Sequence, residues 1–84
     1  MDATNRPRIF NLRITARANS EFGALDYSLT ETLTARDGGI QVDSHAHGRA
    51  NGEFVNKRSS TFFAGVDMSA AAAYRKRQGF AEVA

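Results

Sequence analysis

Asp43, His45 and His47 are the residues whose types come closest to metal chemistry. They stand at i, i+2 and i+4, and on a strand that spacing puts all three on one face. A carboxylate and two neutral imidazoles suit zinc or another transition metal. The same spacing works against a site, because same-face neighbours on a strand lie about 7 Å apart and would have to converge on one ion. The chain holds 2 histidines and no cysteine to complete a ligand set. The row is read as polar, solvent-facing surface opposite Thr30, Thr32 and Thr34, and no metal is expected.

Glu31 is the candidate general base, since its place in the alternation puts it among apolar residues. A carboxylate there needs a partner. The expected register sets it beside Leu12 and Ala46, with Lys57 across Ala46 to pair it. No nucleophile, oxyanion donor or phosphate-cradling glycine loop accompanies it. Ser59-Ser60-Thr61 has no histidine placed by a motif. The chain reads as a non-enzyme with no cofactor.

Arginine chemistry remains. Arg13, Arg17 and Arg58 fall on the same outward side as the histidines, with Arg17 expected opposite Asp26. Sheet faces that bind single strands carry aromatic side chains for base stacking, and this face has none in the middle of a strand. Arginine alone can still contact phosphate. Arg75-Lys76-Arg77 ends a helical segment, where cations offset the negative end of the macrodipole. Three consecutive residues span about 200° of a helix, so they cannot all face one partner. The residues assigned to partner binding are therefore Arg13, Thr30, Thr32, His45, His47 and Arg58. The face opposite is expected to be unavailable, because Phe10, Leu12, Ile14, Leu29 and Val42 need cover from the helix.

The elements that position these side chains follow from hydrophobic period. Residues 8–18 alternate, with Phe10, Leu12, Ile14, Ala16 and Ala18 inward; residues 25–36 and 40–48 alternate likewise. Gly38-Gly39 as a two-residue turn pairs Ala35 with Val42 and keeps apolar residues on one face, whereas a one-residue slip would scramble the faces. An even-numbered loop near 20–23 sets Ile14 beside Leu29 and Phe10 beside Leu33. Asn51-Gly52 is a hairpin signal and begins a fourth strand over residues 53–63, a polar edge strand. Asp67 is the N-cap of a helix over residues 68–78, stopped by Gly79, with Phe80 packing back. The fold class is α+β: a four-stranded antiparallel meander sheet with one C-terminal helix packed on one face.

Composition sets the outer bounds. The 84 residues make a single domain, 1–84, with 1–7 a flexible N-terminal segment. A domain of this size buries only about 60% of its unfolded surface, so its stability is marginal. Lys+Arg 11 against Asp+Glu 9 gives a net charge of +2, too little for a strong long-range field. No apolar run approaches the roughly 20 residues of a membrane span, and the polar N-terminus lacks a signal peptide's apolar stretch. A cytoplasmic location is expected.

In size and layout the chain resembles small phage-encoded inhibitors of bacterial defence, of the anti-CRISPR type: short, cysteine-free, a few strands and one helix. The resemblance implies a non-enzymatic protein that occupies the surface of a host defence or nucleoprotein complex. The second reading is a nucleic-acid-binding accessory protein that uses arginine–phosphate contacts. The exposed edge of the fourth strand permits a dimer by strand addition, so both monomer and dimer are open.

Overall fold

The computed structural model describes residues 6–21 and 23–83. Most of the expected N-terminal segment, and Phe22 of the first loop, lie outside these residues. The chain forms β1 (Arg8–Ala16), β2 (Leu25–Arg36), β3 (Gly39–Ala50), β4 (Glu53–Ala64), α1 (Met68–Arg77) and β5 (Ala81–Val83). The strands make one antiparallel sheet in the order β4-β3-β2-β1-β5. The expected α+β architecture is present, with a fifth strand added. From the β4 edge the chain crosses one face of the sheet as α1 and returns on the opposite edge as β5.

The helix ends are built as the sequence reads. Asp67 Oδ1 accepts a hydrogen bond from the Ala70 amide at 2.7 Å. At the other end the Phe80 amide donates to the Arg75 carbonyl (3.0 Å) and the Gly79 amide to that of Lys76 (3.1 Å). This is a Schellman motif, and it requires the positive φ of +98° that Gly79 adopts. It turns the chain back onto the sheet. Phe80 packs against the core, and Ala81 follows directly into β5.

Two registers differ from expectation, each by two residues. Arg36 pairs with Gly39 and Ala35 with Ile40, so the turn is Asp37-Gly38 and not Gly38-Gly39. Gly39 lies instead within β3, where a Cβ would stand 2.2 Å from the Phe63 carbonyl oxygen. Its small size serves the close approach of β4. In the first hairpin Leu12 faces Leu29, Ile14 faces Tyr27, and Ala16 faces Leu25. Ala18 is therefore outside the strand, and Asp26 lies opposite Thr15, not Arg17. Here the loop decides. The Ala24 amide donates to Asn51 Oδ1 (2.9 Å) and the Asn51 amide to the Ala24 carbonyl (2.7 Å), fixing where β2 begins. The Asn51-Gly52 turn stands as expected, pairing Ala50 with Glu53, and both its residues take positive φ. A two-residue slip preserves which face each side chain occupies, so the face assignments hold.

The core is small. Phe10, Leu33, Ile40 and Val42 of the sheet are buried under Ala71 and Ala72 of α1. The alanines let the helix approach the sheet closely. Ten helical residues reach about 15 Å, whereas the twelve residues of β2, β3 and β4 run to about 40 Å. The helix therefore covers one end of the face. Its C-terminal turn comes near Leu12, where a Cβ on Gly79 would lie 3.6 Å from Leu12 Cδ1. Leu12, Ile14 and Leu29 thus do not receive the full helical cover expected of them, and all three are half-buried.

The last strand is held by charge. Arg8 donates from Nε and Nη2 to the two carboxylate oxygens of Glu82 at 2.7 and 2.6 Å, and Lys76 Nζ lies 3.5 Å from the same carboxylate. The Arg8 hydrogen bonds hold the Glu82 carboxyl below the ordinary carboxylate range. A carboxyl whose pKa is lower folded than unfolded adds stability above its unfolded value, and that stability is lost as pH falls through the folded value. The stability gap between the native protein and Glu82→Gln is therefore expected to be constant above about pH 5 and to narrow as pH falls through the lowered carboxyl pKa. Thermal melts of both proteins across this range check it; a gap that widens on acidification would contradict the assignment.

Candidate functional site

The residues assigned to partner binding all lie on the sheet face opposite α1, because each alternates with a helix-facing neighbour. Pairing aligns them across the sheet. Asn11, Thr30, His45 and Arg58 form one cross-strand row, and Arg13, Ser28, His47 and Asn56 form the next. Ile9, Thr32, Asp43 and Ser60 make the row on the other side. The sequence reading thus gathered His45, Thr30 and Arg58 correctly into one neighbourhood, with Thr32 and His47 adjoining.

Several of these groups are already engaged. Thr30 Oγ1 accepts from Asn11 Nδ2 at 3.0 Å. Arg13 sits at the far side of the sheet and donates to both oxygens of Asp26, at 2.9 and 3.2 Å. Both side chains of that pair are well exposed, so it adds little stability. Asp26 was expected to occupy Arg17; it occupies Arg13 instead. His45 Nε2 lies 2.7 Å from Asn56 Oδ1, which makes that nitrogen the donor. The His45 and His47 rings tilt together with centroids 4.9 Å apart. Asp43 does not join them, since it accepts from Ser60 Oγ at 2.6 Å, and Ser60 accepts from Gln41. Among the described residues no three His, Cys, Asp or Glu side chains gather as a metal cluster.

Arg58 is different. Among the described residues it has no ion-pair or hydrogen-bond partner, and it stands on the exposed edge strand β4. Sequence reasoning missed its aromatic neighbours. Phe54 and Phe62 point to the same face from either end of β4, and Phe54 is 80% exposed. Arg49, directly opposite on β3, lays its guanidinium 4.4 Å from the Phe54 ring centroid. The available signal was the parity of β4: with Asn51-Gly52 as the turn, even-numbered positions face outward, so both phenylalanines join Arg58.

Glu31 and Arg75 have other partners than expected. Glu31 lies between Phe10 and Ser44 in its row, not between Leu12 and Ala46. It accepts from Arg75 Nε at 3.0 Å and from Ser44 Oγ at 2.9 Å, with Lys57 taking no part. Arg75 also donates to the Ala71 carbonyl at 3.2 Å. Its task is to neutralise a carboxylate under the helix, not merely to end the helix. The cause is the two-residue register shift, which moves Glu31 toward α1.

These features define a small α+β domain whose helix covers part of one sheet face and leaves the polar, arginine-bearing face open. Comparison with protein families, with curated proteins and with solved structures returned no match. Among the described residues no helix is long and apolar enough to cross a membrane.

Proposed function

We propose that the protein is a non-enzymatic binding module that acts by covering a partner's surface with the outer face of β3 and β4. The observation that carries this reading is the grouping of unpaired Arg58 with His45, His47 and the Arg49–Phe54 stack on an uncovered edge. Arginine and aromatic side chains are enriched at protein interfaces, where the planar guanidinium binds carboxylates in pairs and stacks on apolar groups. An acidic protein surface fits this chemistry. The likeness in layout to phage-encoded inhibitors makes a host defence or nucleoprotein complex in the cytoplasm the first partner to try.

A second reading has one observation in its favour. Arg49 stacked on exposed Phe54, with Arg58 four residues further along β4, also suits a phosphate backbone with a stacked base. Capture from a lysate with and without nuclease separates the two, together with a salt series, since phosphate contacts weaken steeply with ionic strength. On the protein-binding reading, Arg58→Glu reduces affinity about tenfold or more, the scale of a lost interface arginine. Its melting temperature should stay nearly unchanged, as for other surface substitutions. Capture that survives Arg58→Glu and Arg49→Glu together would move the interface off this face.

A further inference from the structure

The helix-facing side of the sheet is apolar from the Leu12 row outward, where the C-terminal turn of α1 reaches only Leu12. Its rows run Leu12–Leu29–Ala46–Lys57, then Ile14–Tyr27–Gly48–Val55, then Ala16–Leu25–Ala50–Glu53. The apolar side chains of these rows are half-buried, while Lys57 and Glu53 are exposed on β4. Three rows across four strands give a footprint of about 400 Å². Monomeric proteins rarely leave a contiguous apolar patch above a few hundred Å² without a use for it.

We infer that this half-face binds a second copy of the chain, sheet face to sheet face, about a two-fold axis that crosses the strands at the Ile14–Tyr27–Val55 row. The charges select this axis. It keeps β4 over β4 and reverses the strand direction, so the first row of one copy lies on the third row of the other. Lys57 then meets Glu53 of the second copy, and Glu53 meets its Lys57, giving two symmetric ion pairs at the rim. Leu29 lies over Leu25, Ala46 over Ala50, and the central row over itself. An axis along the strands would instead set Lys57 over Leu12, a charge on an apolar side chain. Gly48 suits the central row: a Cβ there would come 2.4 Å from Tyr27 Cα, so the surface is lowered beside the Tyr27 ring. The pairing leaves the outer face with Arg49 and Arg58 free, and it is independent of what that face binds.

Sedimentation equilibrium over a concentration series tests this on the full chain. The expected result is a monomer–dimer equilibrium converging on twice 9.2 kDa. Val55→Arg, which sets a cation against its own copy at the axis, raises the dissociation constant about tenfold or more. Lys57→Glu weakens the dimer, Glu53→Lys does the same, and the double exchange Glu53→Lys with Lys57→Glu restores it. Melting curves of dilute samples establish that each variant is folded. Arg58→Glu leaves the association constant unchanged, so failure of the binding reading would not be mistaken for failure of this one. A species that stays at 9.2 kDa throughout overturns the inference. So does a dimer indifferent to Val55→Arg and to the charge exchange, which would instead point to pairing along the β4 edge.

Discussion

Phe10→Ala is expected to lower the stability of the protein more than any other single substitution in its core. Phe10 is completely buried, and it is the largest side chain in a core otherwise made of Leu33, Ile40, Val42 and two helix alanines. Removing a buried phenylalanine costs about 3–5 kcal/mol, the lost transfer energy plus the cavity left behind. A domain of this length has about 4–12 kcal/mol of total stability. The sheet cannot collapse into the hole, because the backbone around Phe10 is paired on both sides, with Glu31 on β2 and Glu82 on β5. Phe10→Leu keeps much of the volume and should retain a cooperative transition. Urea unfolding followed by circular dichroism measures both. A Phe10→Ala protein with a native-like midpoint would mean that the helix does not cap the sheet as described.

Arg75→Ala should come next in severity, at about 3 kcal/mol. The Arg75 and Glu31 side chains are 12% and 16% exposed, so the pair sits close to the limit at which a lone charge becomes expensive. Removing the arginine leaves the Glu31 carboxylate with Ser44 alone, in the cross-strand row that holds buried Phe10. Attraction between the two charges is partly cancelled by the desolvation of both, so an apolar pair of similar volume can replace them at small cost. The double variant Glu31→Leu with Arg75→Met is therefore expected to be more stable than Arg75→Ala and than Glu31→Leu alone. Denaturant unfolding of the native chain, Glu31→Leu, Arg75→Met and the double variant closes the cycle, with Arg75→Ala measured beside them. If Arg75→Ala matches the native protein, the arginine serves only the helix end, as its position in the sequence alone suggested.

Face assignment was legible in the residues because strand side chains alternate with a period of two. Every inward and outward position read from the alternation of the first three strands that lies within a strand has the expected side. The same period explains the failure of register. A slip of two residues leaves all faces unchanged, so the pattern cannot choose between Ala35 facing Val42 and Ala35 facing Ile40. That choice was made by contacts remote in sequence: Asn51 clasping Ala24, and Gly39 admitting the end of β4. The partners of Glu31 changed as a consequence. Lys57 was replaced by an arginine 44 positions away on the helix, which no strand-pairing rule could nominate.

Local chemistry determined the turns at Asn51-Gly52 and Gly79, the Asp67 cap, the span of α1 to within one residue, and the solvent-facing histidines. These depend on backbone groups and dihedral angles within a few residues, which is the range over which a sequence speaks directly. β5 lay beyond that range. Three exposed residues have no period to read, and they join the sheet because the Schellman turn aims them at β1 and Arg8 grips Glu82. The extent of helical cover also had to await the tertiary structure. Whether ten helical residues shield a strand of twelve depends on where the helix lands and the angle at which it crosses. It lands over Phe10 and Leu33, and the apolar rows from Leu12 to Leu25 are left without full helical cover.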